Sequence, residues 1–323
     1  MASSRHSGRR VAMARLVFLV AFAAGATLSA CSKRDSGGLR PMVIGVSTLR
    51  ISLPVFVAEQ HGLFAKHGID AEVRRYETAQ PLADELGAGR IDAGGYVAFP
   101  ILFGPGAPPP KVRVLTAVVE DRAHPLSYLL VKKGSGLRGV AALRGRRIGI
   151  LPTAAYRRWL EAILVHDGLR PEDVTIVPLA PPLEADALAG GGVDALFTGD
   201  PMATAALARG LAEPATDTPD VPRVLGEPFL FGTFAVTENF AQKHPETARA
   251  LAAALDEAIA LIAADPAVGT AAMKPYVREN ERPFVDRYPA ARYLGSREIT
   301  AAQLDRALEL AGTDVRAATV TLP

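Results

Sequence analysis

The feature that most constrains the fold is a strand–helix–strand–helix–strand pattern that occurs twice. The first copy runs from Ile44 to Asp92, an interval of 48 residues, and the second from Ile148 to Asp194, an interval of 46 residues. Strands alternating with helices predict a mostly parallel sheet covered by helices on both faces. Two copies of nearly equal length therefore predict two α/β lobes, each with its ligand-facing loops at the carboxyl ends of the strands.

The second copy opens with a compact unit between Gly145 and Tyr156. An apolar strand at 147–151 ends at Pro152, and a helical period begins at Ala154. Thr153 lies between them, where its hydroxyl can cap the helix. A helix N-terminus can hold an anion or a carbonyl oxygen, but an ordinary strand–helix unit capped by its own Thr153 explains the pattern as well.

The amino terminus differs from the rest of the chain. A basic head with four arginines precedes an apolar run at 16–28 that is short for a membrane span, and this predicts a signal peptide over residues 1–30. The segment Leu28-Ser29-Ala30-Cys31 resembles the bacterial lipobox, which predicts lipidation of Cys31. An incidental cysteine after a conventional cleavage site is the alternative. Residues 31–41 are predicted to form a flexible tether.

The charge balance excludes a strongly basic protein. The chain carries 36 Lys and Arg against 34 Asp and Glu, and removal of the four arginines of residues 1–30 leaves 32 basic residues. This composition does not favour nucleic acid as a partner. Cys31 is the only cysteine, and no histidines stand at metal-ligand spacing, so no metal or cofactor is predicted.

Several motifs occur in an order typical of one family. They are Gly62-Leu63-Phe64 followed by Gly68-Ile69-Asp70, the segments ending Ile91-Asp92-Ala93 and Val193-Asp194-Ala195, the segment 143–150, and Asp200-Pro201. Over about residues 42 to 265 the chain resembles the nitrate, taurine and sulfonate class of periplasmic solute-binding proteins, which includes binders of thiamine-pyrimidine precursors. The resemblance implies an α/β, two-lobe periplasmic-binding-protein-like fold (type II) with a cleft between lobes. Residues 42–127 plus 235–323 would form lobe 1, and residues 128–234 lobe 2.

The resemblance also implies a function. The chain would be the lipid-anchored solute-binding component of an ABC importer in the periplasm or at the cell surface, with a permease and an ATPase as partners. The alternative is an enzyme on the same fold, similar to menaquinone-pathway dehydratases or thiamine-pyrimidine synthases. No Ser-His-Asp arrangement and no cysteine in the folded part supports catalysis, so we expect a binding protein.

Candidate ligand contacts lie at predicted strand ends, and the resemblance adds Tyr96 and Val97. Arg50 is either a contact or a solvated residue, Tyr96 either a contact or a packed aromatic, and Asp200 either a contact or a helix cap. Arg50 with the helix N-terminus at Thr153 fits a small anion, whereas the aromatic side chains fit a heteroaromatic or apolar body. The predicted set is Thr48, Arg50, Ser52, Tyr96, Val97, Thr153, Ala154, Tyr156, Asp200 and Phe231.

Overall fold

A computed structural model describes residues 39–104, 109–317 and 320, and these belong to one compact unit, Gly37–Pro323. The predicted signal peptide, Cys31 and the tether up to residue 38 lie outside the described residues. The first strand starts at Arg40, two residues before the predicted start, because Arg40 and Pro41 already pair with the neighbouring strand.

The structure alternates strands and helices along most of its length. In chain order the strands are β1 (Arg40–Ser47), β2 (Ile69–Tyr76), β3 (Ala93–Val97), β4 (Val112–Glu120), β5 (Ser127–Lys132), β6 (Arg147–Ile150), β7 (Thr175–Pro178), β8 (Ala195–Gly199), β9 (Ala212–Pro214), β10 (Phe229–Thr237) and β11 (Arg292–Leu294). The α-helices are α1 (Leu53–Gln60), α2 (Leu63–Lys66), α3 (Ala79–Gly87), α4 (Phe99–Leu102), α5 (Ala154–His166), α6 (Glu184–Ala189), α7 (Met202–Ala208), α8 (Asp220–Leu225), α9 (Glu238–Lys243), α10 (Pro245–Ala264), α11 (Pro266–Met273) and α12 (Ala301–Ala311).

The predicted duplication is present in two sheets. The first has the strand order β11-β4-β10-β3-β1-β2 and the second β7-β6-β8-β5-β9. In each sheet the opening strand of the repeat lies between the other two and runs parallel to both: β1 between β2 and β3, and β6 between β7 and β8. Antiparallel strands extend both sheets on the side of β3 and β8. The α/β architecture with helix-flanked sheets is therefore confirmed.

The two repeats also share a hydrogen bond from a backbone N–H group to an aspartate. The Asp92 carboxylate accepts a hydrogen bond from the backbone N–H of Val43, and the Asp194 carboxylate accepts one from that of Arg147, both at 2.9 Å. Each aspartate thus ties the loop before the third strand to the first strand. Each aspartate therefore holds the turn that precedes the third strand of its repeat.

Side-chain alternation divides the core of the first sheet between its two faces. Ile44, Phe56 and Leu251 belong to one buried cluster, with helices α1 and α10. Leu82 and Leu308 belong to another, with helices α3 and α12. The sheet is therefore covered on both faces, as the strand–helix alternation predicts.

Three segments stand apart from the repeats or modify them. Gly62 takes a left-handed conformation with φ of 66° and separates α1 from α2. The segment 229–234, assigned above to lobe 2, pairs along β4 in the first sheet as part of β10. The region 273–294 contains 3-10 turns and the short strand β11. The lobe boundaries stay a prediction.

Candidate functional site

A cavity lies where the carboxyl ends of β1, β3, β6 and β8 converge, between the two sheets. About 500 Å³ of space between protein atoms lies there when open solvent is counted, but only about 30 Å³ can hold the centre of a water-sized sphere, so the cavity is narrow in this conformation. This is the location that open α/β sheets use for ligands. Its lining residues are Leu49, Arg50, Ile51, Ala79, Tyr96, Ala98, Ile101, Leu126, Leu151, Thr153, Ala155, Tyr156, Trp159, Gly199, Asp200 and Phe231.

Arg50, after β1, forms an ion pair with Asp200, after β8. Arg50 Nε and Asp200 Oδ2 are 2.9 Å apart, and the two side chains are 1% and 0% exposed. Arg50 Nη1 donates to the carbonyl of Pro289 at 2.6 Å, and Nη2 donates to the carbonyl of Pro125. Burial lowers the pKa of Arg50, but Asp200, Tyr128, Tyr293 and Glu120 together outweigh it, so the pKa is raised and the guanidinium stays charged. The pair joins the two sheets across the cavity.

Asp200 has further partners in the second sheet. Its Oδ1 accepts a hydrogen bond from the backbone N–H of Thr204 at 3.0 Å, in the first turn of α7. Its Oδ2 accepts one from the hydroxyl of Tyr128 at 3.2 Å. The carboxylate therefore caps the first turn of α7, which is one of the two roles that the sequence left open. Arg50 balances its charge.

Aromatic rings form much of the wall and cross from one sheet to the other. Trp159 on α5 lies 4.7 Å from the ring centre of Phe231 on β10, and 5.5 Å from that of Tyr156. Tyr156 also packs on Phe197, at 5.2 Å. Tyr96 contacts the rings on the first-sheet side. These contacts suit an apolar or planar ligand body.

The hydroxyl groups at the wall differ in their partners. Tyr96 shares a hydrogen bond with Thr116 Oγ1 at 2.9 Å, and Thr153 Oγ1 accepts from the backbone N–H of Tyr156 at 3.3 Å. The Tyr156 hydroxyl has no hydrogen-bond partner among the described residues, and burial raises its pKa well above 10, so it stays protonated. It is therefore a donor available to a ligand.

A sequence profile of the NMT1-like family matches residues 36–274, most of the chain. The chain belongs to the NMT1-like family. The taurine-binding periplasmic protein of Escherichia coli K12 is 28% identical over 200 residues, which cover 62% of this chain and 60% of that protein. The chain spans 60% of the length of this protein and 63% of the length of a similar putative binding protein of Brucella abortus.

Solved structures extend the comparison to the fold. The alkanesulfonate-binding protein SsuA of Xanthomonas axonopodis pv. citri, solved with MOPS bound, has a TM-score of 0.66 at 24% identity, covering 88% of this chain and 98% of SsuA. The desulfurization enzyme DSZB has a TM-score of 0.59 at 18% identity, covering 84% and 90%. At these identities the likeness concerns the fold, and it includes both a binding protein and an enzyme.

In this member of the NMT1-like family, the cavity brings together six of the ten predicted residues: Arg50, Tyr96, Thr153, Tyr156, Asp200 and Phe231. The other four lie elsewhere. Thr48 lines a neighbouring recess with Pro181 and Arg278, and Ser52 is buried with its hydroxyl 3.3 Å from that of Ser47.

Val97 and Ala154 lie outside the cavity for simple geometric reasons. Val97 follows Tyr96 on a strand, so its side chain faces the opposite core cluster. Ala154 is the first residue of α5 and is exposed, whereas Ala155 lines the cavity. A one-residue shift on a strand or helix is enough to move a side chain out of the site.

The sequence interpretation also missed residues of the site. Trp159 follows Tyr156 by three positions on α5, and this helical spacing was a usable signal. Glu120 does not line the cavity but supports it, and it had no signal: it ends β4 and accepts hydrogen bonds from the backbone N–H groups of Leu126 and Ser127, both at 2.8 Å. Burial raises the pKa of Glu120 to about 7, although these hydrogen bonds act to lower it. Glu120 thus ties the end of the first-sheet strand to the start of β5 in the second sheet.

Within residues 39–104 and 109–317, no helix is long and apolar enough to cross a bilayer. In the same part of the chain, no group of three or more His, Cys, Asp or Glu side chains is placed to hold a metal ion.

Proposed function

We propose that this chain is the extracytoplasmic, lipid-anchored solute-binding component of an ABC importer. It binds a small organic ligand in the cavity between the two sheets and delivers it to a membrane permease driven by a separate ATPase. The observation that carries the proposal is the cavity itself, which both repeats build from their strand ends and which Arg50 and Asp200 span.

Ligand entry would proceed by movement of one sheet against the other. The chain crosses between the sheets after Glu120 and before Phe229, and short crossings of this kind are suitable hinges. With the hinge open, the cavity wall of aromatic rings would be accessible. Closure around the ligand would restore the contact between Trp159 and Phe231, and the permease would recognise this closed form.

Binding can be measured from within the site. Trp159 is the single tryptophan of the chain and lines the cavity, so its emission reports on the ligand directly. Native mass spectrometry of freshly purified protein would identify a retained ligand. Thermal-shift screening should then include sulfonates, since relatives are named for taurine and alkanesulfonate, together with carboxylates and pyrimidines. Stabilisation should grow with ligand concentration over its dissociation constant.

The anchor has its own test. We expect the full chain, expressed in a bacterium with lipoprotein processing, to fractionate with membranes and to take up labelled fatty acid. Cys31→Ala should abolish both, whereas Ser32→Ala, next to it in the sequence, should leave both unchanged. A wild-type chain that stays soluble and unlabelled would contradict the lipid anchor.

An enzyme on the same fold is the second candidate, which the fold likeness to DSZB keeps in view. The discriminating measurement is product formation. A binding protein returns the ligand unchanged after prolonged incubation, and product detected by mass spectrometry would favour the enzyme.

A further inference from the structure

We infer that Asp200 sets the charge specificity of the cavity: by neutralising Arg50 it selects a neutral ligand with an apolar or aromatic body, whose polar group meets the Tyr156 hydroxyl. The inference rests on the proposed binding function and specifies the ligand class of the same site. It separates this chain from relatives named for anionic ligands.

The first step is the charge of the wall. Among the described residues that line the cavity, Arg50 is the one cation and Asp200 the one anion. They are 2.9 Å apart and buried, so the field of each is largely cancelled by the other. The Nη groups of Arg50 also donate to the carbonyls of Pro125 and Pro289. An anionic ligand would meet the Asp200 carboxylate as well as the guanidinium, and it would have to replace one buried ion pair with another.

The second step is the polarity of the remaining wall. Apart from Arg50, Thr153, Asp200 and Gly199, the described lining residues are aliphatic or aromatic. Transfer of a sulfonate or carboxylate from water to such a surface is unfavourable without several donors. The first turn of α5 reaches the wall through Thr153 and Tyr156. A neutral carbonyl or sulfonyl oxygen can accept from a helix N-terminus too, so this turn does not by itself favour an anion.

The third step is the position of the free donor. The Tyr96 hydroxyl is bound to Thr116 and the Thr153 hydroxyl caps α5. The Tyr156 hydroxyl has no partner in the described part of the chain and lies beside Gly199, where an added Cβ would be 2.7 Å from it. Thr153 Oγ1 accepts in its cap and keeps its own proton, so Tyr156 and Thr153 are neutral donors beside an apolar chamber. Such a wall matches a ligand with a neutral hydrogen-bonding end.

The test uses a matched pair of probes that differ in charge and hardly in shape: benzenesulfonamide, neutral at pH 7, and benzenesulfonate. Each probe is titrated into the full chain, which keeps residues 1–30 unchanged. Trp159 emission and calorimetry give the dissociation constants. We expect the wild type to prefer the sulfonamide by about tenfold or more. Asp200→Asn keeps the side-chain shape and unmasks Arg50, so the preference should shift towards the sulfonate by about tenfold.

Control variants make the shift specific. Asp70→Asn removes an exposed carboxylate on β2 and should leave both dissociation constants unchanged. Tyr156→Phe should weaken both probes by about tenfold, because each offers a sulfonyl oxygen to the hydroxyl, and should therefore leave their order as it is. Melting curves establish that each variant is folded. The comparison of the two probes on the wild type does not depend on the folding of any variant.

The outcomes distinguish a failure of the charge assignment from a failure of the proposed binding function. A wild type that prefers benzenesulfonate, or an Asp200→Asn variant with an unchanged preference, overturns the charge assignment and leaves the binding function standing. An absence of any Trp159 response to either probe, in wild type and variants, counts against a binding cavity at this position and hence against the proposed function itself.

Discussion

Glu184, the first residue of α6, has a buried carboxyl group with an incomplete set of partners. Its Oε2 accepts a hydrogen bond from Thr198 Oγ1 at 2.5 Å, while Oε1 has no hydrogen-bond partner among the described residues. Burial raises the pKa of Glu184 from 4.5 to about 8, opposed by the bond from Thr198 and supported by the nearby charge of Glu281. At neutral pH the protonated acid is therefore the favoured form.

The sign of the resulting pH dependence follows from linkage. Because the folded pKa lies above the unfolded value, the stabilising contribution of Glu184 is full below pH 4.5 and is lost as the pH rises to about 8. We expect the wild type to lose on the order of 2–4 kcal/mol of unfolding free energy from this group between about pH 5 and 8. Glu184→Gln should remove that loss in urea titrations. Glu172→Gln, which changes an exposed residue, should keep it, and equal slopes for both variants would contradict the shifted pKa.

Asp194 holds the turn before β8 through the first strand of its repeat. Its carboxylate accepts from the backbone N–H of Arg147 and also contacts the guanidinium of that residue, at 3.2 Å and more. Asp194→Ala leaves that N–H without its partner, and we expect a loss of about 1–2 kcal/mol in unfolding free energy. Ligand affinity measured through Trp159 should stay the same because Asp194 does not line the cavity. A large loss of affinity at unchanged stability would instead make Asp194 a site residue.

At the scale of elements, local sequence predicts what local forces determine. Helix α10 begins at Pro245, a residue favoured in a first helical turn, and α12 begins after Thr300, whose hydroxyl accepts from the backbone N–H of Gln303. The segment 229–234 joins the first sheet by pairing with β4, more than a hundred residues earlier, so its own sequence does not show which sheet it belongs to. The site follows the same division. Thr153 could be predicted from its position before α5, whereas the partners of Arg50 at Asp200 and Pro289 come together only in the folded chain.

Helix α5 carries Thr153 at its amino end and Tyr156 and Trp159 on its cavity face, so its first turn must be held in place. Thr153 Oγ1 accepts from the backbone N–H of Tyr156 at 3.3 Å. Thr153→Ala should therefore cost about 1 kcal/mol of unfolding free energy. Thr153→Ser retains the hydroxyl and should cost much less, as measured by urea denaturation. If the two variants were equally destabilised, the lost methyl packing rather than the cap would be the cause.

At the scale of the whole molecule, Arg50 connects segments that are distant in sequence. It contacts Asp200 in the second sheet, Pro125 in the crossing between sheets and Pro289 in the C-terminal region, and its carbonyl accepts from the Tyr293 hydroxyl at 3.0 Å. The backbone N–H of Arg50 donates to the Asp200 carbonyl at 3.2 Å as well. The Arg50 side chain and its buried counter-charge thus join the two sheets beside the cavity.

A double-mutant cycle measures that dependence. Arg50→Met leaves the Asp200 carboxylate buried without its counter-charge, and we expect a loss on the order of 3–5 kcal/mol in unfolding free energy. In Arg50→Met/Asp200→Asn no unpaired charge remains, so the double variant should be more stable than the sum of the single effects predicts, by about 1.5 kcal/mol or more. The same cycle on the exposed pair Arg306 and Glu309, 2.8 Å apart, is the control and should give a much smaller coupling because water screens it. Equal coupling energies for the two pairs would mean that Arg50 and Asp200 do not hold the sheets together through their charges.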